Sequence, residues 1–435
     1  MRKMHRVRLI RGLGYLEAVM LGIGFIVGSG IFIMPLLAAK EAGTFSLVSW
    51  VIGGIFSILT GLCFAELAAK VPEAGGPYAY AHKAFGNRTG FIVGWIFWVY
   101  YWVTIAGEVL AITLYLQFIL PQFNYFLRVF ISLVVMIILT VINIRGVKPG
   151  SKAENIFTIG KLFSLFLFGI VGLFFVKFSN FYPYLPDGKT VISAIGSSTI
   201  LVLWAYLGAE IITVPEEEIK NAKKNIRKSI MVSIFTTNSL YLLVAFVTLG
   251  VVSWTNYGSY STLFDISKTF MGEIGGYILL IGGLVSIIGA LNAVILGCSR
   301  IAMAISLDNL FPKTLQHIHK KYRTPDYALV LQTILATILV FVAADFTTAA
   351  SLSVLLVLVT YLFSCFAVLK LIKKVKGEML VLESKVAPII SVIACFIFFT
   401  QVSIRVWGLF IVLIMVGLVV YLFRRKNIKL IQMPK

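Results

Sequence analysis

The sequence predicts an all-α integral membrane protein with twelve transmembrane helices. Long apolar runs recur along the whole chain of 435 residues, of which 59% are hydrophobic and only 13% are charged. The polar intervals between these runs are too short to fold into a separate domain. Basic residues are also dense in every second interval, which is the pattern of a chain that crosses a bilayer repeatedly.

Each predicted span is an apolar run close to, or longer than, the roughly 20 residues that cross a bilayer as a helix. The third run is the longest, so its helix is expected to be tilted. The twelve spans are predicted at 15–39, 46–69, 89–120, 126–144, 156–176, 190–213, 229–253, 273–299, 327–344, 348–369, 387–404 and 406–423.

The distribution of basic residues predicts the orientation of the chain. With the N-terminus in the cytoplasm, 31 of the 38 lysines and arginines fall on the cytoplasmic side, six fall outside, and Lys161 lies within a span. Cytoplasmic loops are normally the basic ones, so both termini are predicted to be cytoplasmic in a multi-pass protein of the cell membrane. The net charge of +20 therefore reflects topology and predicts no nucleic-acid partner.

The sequence offers no pattern for a metal, a cofactor or an enzyme's reactive groups. Cys63, Cys298, Cys365 and Cys395 all lie in apolar spans, without the spacing of metal ligands. We therefore expect free cysteines that pack in the protein interior. Paired carboxylates or a His/Asp cluster near a membrane face would suggest an enzyme, and the sequence has neither, so we expect the protein not to be one.

The first span contains a break in its helix. Between Gly22 and Pro35 the chain reads GIGFIVGSGIFIMP, and Gly28, Ser29 and Gly30 are three consecutive poor helix formers near the expected bilayer centre. Such a break survives in a membrane only where it lines a protein cavity. The new helix start suits a carboxylate, and the unwound carbonyls suit an ammonium group. The alternative is a glycine face for close helix packing.

A second break is predicted in the sixth span, at the sequence WAYLG from Trp204 to Gly208. Breaks at matching positions in two halves of a chain indicate a transporter site. The first five spans start inside and the next five start outside, which fits an inverted repeat. The predicted units are 1–180 for the first repeat, 181–376 for the second, and 377–435 for two trailing helices.

Lys161, Glu108 and Glu210 lie within predicted spans, where a charge is costly and normally faces a partner or a cavity. Lys161 is either a structural amine or a titrating group that mimics a cation, and we favour the second role. Glu108 either contacts a basic substrate or serves as a structural carboxylate. Glu210 follows the second break as a further pocket or coupling carboxylate, and Ser286 is expected to hydrogen-bond between helices.

The chain resembles the amino acid–polyamine–organocation superfamily of transporters over essentially its whole length. The resemblance rests on four motifs in order, of which the first is GSGIF. The third span, GWIFWVYYWVTIAGEV, is most similar to the bacterial amino-acid permease branch, which has a glutamate at the place of Glu108. The chain departs from the family at Ala222, where a proline is usual, and at Asn309, where a glycine is usual. The motifs occupy 28–32, 72–80, 216–230, and 290–312 with Thr324-Pro325.

This resemblance implies a leucine-transporter-type fold of five plus five inverted helices with discontinuous helices 1 and 6. It also implies that the substrate carboxylate meets Ser29 and Gly30 beside Gly28, and that Trp204 gates the site. Lys161 stands where sodium-coupled relatives bind sodium, which implies sodium independence. The carbonyls implied to bind the substrate amine, near Gly28 and Gly208, are those of Ile26, Trp204, Ala205 and Leu207.

The sequence therefore predicts a secondary active transporter of amino acids that is sodium-independent and proton-coupled and works by alternating access. Three alternatives stay open: an amino-acid exchanger, a polyamine transporter, and a membrane sensor that binds an amino acid without moving it. The expected partners are an amino acid, protons and the lipid bilayer. The sequence leaves open which amino acid is carried and whether the protein is a monomer or a homodimer.

Overall fold

The computed structural model describes residues 14–71, 75–120, 122–146, 152–214, 219–259, 262–343, 345–372 and 385–431, and this part of the chain is helical without a β-sheet. Short 3-10 helices join some of the α-helices. The α-helices are α1 Tyr15–Ile26, α2 Gly30–Ala42, α3 Ser46–Lys70, α4 Pro77–Phe85, α5 Asn87–Ile119, α6 Tyr125–Ile144, α7 Lys152–Leu173, α8 Val191–Tyr206, α9 Ala222–Val251, α10 Leu263–Leu307, α11 Asp326–Ala343, α12 Phe346–Ile372, α13 Val386–Gln401 and α14 Ile404–Ile431.

Within the described ranges, nine helical segments are long and apolar enough to cross a membrane, so the chain is a multi-pass membrane protein. One of these segments, Tyr15–Lys70, covers the first two predicted spans. Two shorter apolar helices, Asp326–Val342 and Val386–Gln401, stand where the ninth and eleventh spans are predicted. The total of twelve spans stays a prediction.

The eighth predicted span differs from the structure in length. The helix α10 runs from Leu263 to Leu307 and is much longer than the predicted 273–299. Its backbone leaves helical geometry at Gly272, where φ is 66°, a value that favours glycine. The predicted start of the span coincides with this kink, and the segment before it is a separate helical piece.

The helices divide into central and peripheral ones. All residues in the most apolar stretch of α5 are buried, whereas only 11% of those in the most apolar stretch of α14 are buried. Side chains of α14 such as Ile411, Val412 and Met415 are more than half exposed. An exposed apolar face is stable against lipid, so α14 is peripheral and α5 lies at the centre.

Two groups of helices meet around the breaks. The helices α1, α2, α3, α8 and α9 pack against one another, while α5 packs against α10, α12 and α4. The start of α2 and the end of α8 are in direct contact. A Cβ atom added to Gly30 would lie only 2.5 Å from the Cα atom of Ala205. Only glycine permits this approach, which brings the two breaks together.

Candidate substrate site

The predicted break in the first span is present. The helix α1 ends at Ile26, and α2 begins at Gly30 with Ser29 at its N-cap. Between them Val27 leaves the helical region, with φ −83° and ψ 83°. The first N–H groups of α2 and the last carbonyls of α1 are thereby released from helix hydrogen bonding in the protein interior.

Two polar side chains bind the carbonyls that this break releases. The Lys161 Nζ donates to the carbonyl of Gly24 at 2.7 Å and to that of Val27 at 2.8 Å. The Ser286 hydroxyl donates to the carbonyls of Val27 at 2.7 Å and Gly28 at 3.1 Å. Lys161 and Ser286 are completely buried, so α7 and α10 both hold the unwound segment from outside the cavity.

The carbonyl of Ile26, a predicted contact for the substrate amine, already accepts two hydrogen bonds. Tyr241 on α9 donates its hydroxyl at 2.9 Å, and the N–H of Gly28 donates at 3.0 Å. A carbonyl oxygen has two lone pairs, so an ammonium group would bind here only when one of these bonds lengthens. Tyr241 was not identified from the sequence, since one tyrosine in an apolar span carries no distinguishing pattern.

The predicted break in the sixth span is also present. The helix α8 ends at Tyr206, and the chain turns at Gly208, whose φ of +116° favours glycine, into a 3-10 helix at Ala209–Thr213. A Cβ atom on Gly208 would lie 3.1 Å from the carbonyl oxygen of Phe25. The backbones of the two breaks therefore face each other at close range.

Trp204, predicted as a gate, spans the gap between the breaks. Its Nε1 donates to the Ser29 hydroxyl at 3.1 Å, and its ring meets Phe346 edge-on with 5.8 Å between the ring centroids. A Cβ atom on Gly107 would come within 2.7 Å of the Trp204 ring. The indole is thus fixed by α2, α5 and α12 at one wall of the site.

Glu108 lies at the start of α2, where the sequence predicted the substrate's carboxylate. Its side chain is buried, and Oε1 accepts a long hydrogen bond of 3.5 Å from the N–H of Ser29. The other oxygen, Oε2, is buried without a hydrogen-bond partner. Glu108 thus contacts the first break and also lines the cavity, and its contact with a substrate stays a prediction.

Glu210 has a different environment, with donors on both oxygens. Its Oε1 accepts from the Tyr100 hydroxyl at 3.0 Å, while Oε2 accepts from the N–H of Gly208 at 3.1 Å and from the Tyr361 hydroxyl. The residue is fully buried. This network ties the second break to α5 and α12, and neither tyrosine was identified from the sequence.

The cavity between the breaks is small and has room for about one water molecule. Six of the eight residues predicted to bind substrate line it, and Ser29 and Ala205 do not. The remaining lining residues are mostly apolar ones whose inward orientation the sequence could not reveal. The complete lining is Phe25, Ile26, Gly28, Gly30, Tyr100, Thr104, Glu108, Trp204, Leu207, Gly208, Ile211, Ala290 and Val294.

The comparisons with known proteins identify the family of the chain. The family model described as amino acid permease matches residues 13–428. The chain belongs to the amino acid permease family. The permease is 27% identical to the methylthioribose transporter of Bacillus subtilis (strain 168), in an alignment that covers 96% of this chain and 94% of that protein.

Two other relatives from the same organism have amino acids in their names. The permease is 28% identical to the serine/threonine exchanger SteT, with 89% of each chain covered, and 26% identical to the branched-chain amino acid permease BcaP, with 73% of this chain and 71% of that protein covered. The resemblance to amino acid–polyamine–organocation transporters is therefore confirmed. These relatives are transporters and permeases, not enzymes.

Proposed function

We propose that this permease carries amino acids across the cell membrane by alternating access. The observation that carries the proposal is the pair of helix breaks that face each other across a cavity at Gly28–Gly30 and Trp204–Gly208. The start of α2 offers N–H groups to the carboxylate of an amino acid. The carbonyls of Ile26, Trp204, Ala205 and Leu207 are the proposed contacts of its ammonium group.

Lys161 is proposed to act as a built-in cation at the first break. Its Nζ lies between the carbonyls of Gly24 and Val27, which is an arrangement of oxygen ligands that also suits a sodium ion. While charged, the amine holds α7 to the end of α1. Loss of its proton weakens that attraction and lets the break move, so a proton instead of sodium drives transport. Glu108 and Glu210 are the proposed accompanying carboxylates.

The proposed membrane topology supports the same mechanism. We propose twelve spans with both termini in the cytoplasm. The chain then contains two inverted repeats, at 1–180 and 181–376, and each repeat contains one break. The trailing segment 377–435 lies outside the proposed repeats, and the peripheral position of α14 is consistent with this assignment. Alternating access then consists of rocking the helices that carry the breaks against those around α5.

A second candidate substrate is an uncharged molecule with several hydroxyl groups, as the name of the methylthioribose transporter suggests for that relative. The observation that favours it is Glu108, whose carboxylate already occupies the start of α2. A neutral polyol needs no carboxylate site, and its hydroxyls are donors for the free Oε2 atom.

Ligand-induced thermal stabilisation of the purified protein discriminates these possibilities. We expect one or more of the twenty amino acids to raise the melting temperature, while cadaverine, agmatine and N-acetylated amino acids do not, because each of these lacks one of the two charges. Stabilisation by methylthioribose alone would support the second candidate. Stabilisation by cadaverine above every amino acid would support a polyamine transporter instead.

Ser29→Val provides the site-specific test. This change removes the hydroxyl that Trp204 binds and crowds the N–H groups at the start of α2. Loss of a hydrogen bond to a charged group is worth about 1.5–3 kcal/mol, so the affinity should fall roughly ten- to a hundredfold. Unchanged affinity for every ligand that stabilises the wild type would place the binding site elsewhere.

A further inference from the structure

The start of α2 is already occupied by a carboxylate from the protein itself. Glu108 reaches it from α5 and accepts from the N–H of Ser29. The contact is close, because a Cβ atom on Gly28 would lie 2.8 Å from the same Glu108 oxygen. A helix start carries roughly half a positive charge, which attracts one carboxylate but does not balance two.

An amino acid whose carboxylate binds at Ser29 and Gly30 therefore brings a second negative charge next to Glu108. Two ionised carboxylates that share one site repel each other, and a shared site is stable when one of them holds a proton. In the known carboxylate pairs of enzymes the two groups share a proton for this reason. Glu108 must thus become neutral, or leave, when the carboxylate of the substrate arrives.

The second oxygen of Glu108 provides the place for that proton. The Oε2 atom is buried in the protein, has no hydrogen-bond partner, and belongs to a side chain that lines the cavity. A buried acceptor without a partner is unusual and requires an explanation. Protonated, Oε2 becomes a donor that can bind a carboxylate oxygen of the amino acid.

The neighbouring helices bring few other titratable groups to this carboxyl group. Lys161 from α7 and Tyr241 from α9 are near enough to interact with it electrostatically. The amine of Lys161 binds the carbonyls of Gly24 and Val27, and the Tyr241 hydroxyl binds the Ile26 carbonyl. Glu108 is therefore the group at the start of α2 that is able to take up a proton as the substrate binds.

We propose that Glu108 holds the carboxylate site of the empty permease and takes up one proton from solution each time an amino acid binds there. The reaction is a simple protonation: the carboxylate gains H⁺, becomes a carboxylic acid, and donates to the carboxylate of the amino acid. This inference rests on the proposed function, since it assumes that the substrate carries a carboxylate. It assigns the proton of the binding step to Glu108, separately from any role of Lys161 in conformational change.

Calorimetric titration in buffers with different ionisation enthalpies measures this proton directly. L-serine and L-leucine are compared with ethanolamine and 3-methylbutylamine, which are the same molecules without the carboxylate. At a pH above that at which Glu108 ionises in the empty permease, we expect uptake of about one proton for each amino acid bound by the wild type. The two amines should bind weakly or not at all, and any heat that they produce should not depend on the buffer, because without a carboxylate they leave Glu108 ionised.

Glu108→Gln removes the titrating group and keeps the shape of the side chain. We expect this variant to bind the amino acids without proton uptake and with an affinity that is independent of pH. The wild type should lose affinity by up to tenfold per pH unit above the pH at which Glu108 ionises, as one linked proton requires. Glu273→Gln, at an exposed carboxylate on α10, is the matched control and should behave as the wild type.

The outcomes separate the inference from the proposed function. Equal proton uptake by wild type and Glu108→Gln would overturn the inference alone. Loss of all amino-acid binding by a Glu108→Gln protein that melts normally would also overturn it, because Glu108 would then be holding the ammonium group. If no amino acid binds to the wild type, the proposed function fails and the inference fails with it.

Discussion

Individual glycines determine how closely the two halves of the site approach. Gly30 and Gly208 touch backbone atoms of the opposite break, so no flexible side chain can move away to make space for a larger residue. Gly208 additionally has a φ of +116°. These positions require glycine for steric reasons that are specific to this packing, beyond its tendency to break a helix.

Gly30→Ala should lower both stability and ligand binding. The added methyl group would lie 2.5 Å from the Cα atom of Ala205, which forces α2 and α8 apart. Overpacking of this kind costs about 1–3 kcal/mol in the free energy of unfolding. Thermal unfolding in detergent measures the effect. Gly408→Ala on α14, where an added Cβ atom has no neighbour within 4 Å, is the control and should not destabilise the protein.

Tyr361→Phe should destabilise the protein without removing Glu210. The change removes one donor from the Oε2 atom of that buried carboxylate and leaves the bonds from Tyr100 and Gly208. A lost hydrogen bond to a charged group is worth about 1.5–3 kcal/mol. A melting temperature equal to that of the wild type would show that this bond contributes nothing. Tyr277→Phe, at a tyrosine more than half exposed on α10, is the comparison.

Residues that depart from the helix pattern could be identified from the sequence, whereas contacts between residues far apart in the chain could not. The breaks were identified because Gly28, Ser29 and Gly30 are poor helix formers in a stretch that needs a helix, and the structure has both breaks where they were predicted. The encounter of Glu108 with Ser29 was not predictable. These residues are 79 positions apart, and only the packing of α5 against the first break brings them together.

At the level of helices, the contact between α7 and the first break is the one to which we assign the proposed coupling. The Lys161 Nζ binds two carbonyls of the unwound segment, and Ser286 from α10 binds the same segment from another direction. Three separate helices thus meet at one unwound turn. We therefore expect a change in one of these polar groups to alter the position of the end of α1.

Lys161→Ala should abolish uptake driven by a pH gradient, and sodium should not restore it. The variant loses the amine that holds α7 to the carbonyls of Gly24 and Val27, while Ser286 still binds the Val27 carbonyl. Ligand binding measured by thermal stabilisation should persist, since the amine does not line the cavity. Proton-driven accumulation at the wild-type rate would refute the proposed role. Lys177→Ala, at an exposed lysine beyond the end of α7, is the control.

The helices α2 and α8 are also connected at the ends that lie away from the breaks. Lys189, just before α8, forms an ion pair with Glu41 near the end of α2, and the Ser197 hydroxyl donates to the same carboxylate at 3.2 Å. The Gly30–Ala205 contact joins the same helices near the breaks. The helices α2 and α8 are therefore expected to move together when the site opens.

For the whole molecule, the fold class was accessible from composition because the bilayer imposes long apolar helices. The nine apolar segments in the described ranges and the permease family agree with that prediction. The helix packing was not accessible in the same way, since α5 and α14 are both apolar but only α5 is buried. Hydrophobicity indicates that a helix lies in the membrane, and side-chain complementarity decides which neighbours it has.

The central claim is that the two facing breaks bind an amino acid and that protons drive its movement. Uptake of radiolabelled amino acids into proteoliposomes of the wild type, with pH and sodium gradients imposed independently, tests this claim most directly. We predict that at least one amino acid accumulates above its external concentration when only an inward proton gradient is imposed, and that a protonophore abolishes this accumulation. Accumulation driven by sodium alone, or no uptake of any amino acid under either gradient, would contradict the account.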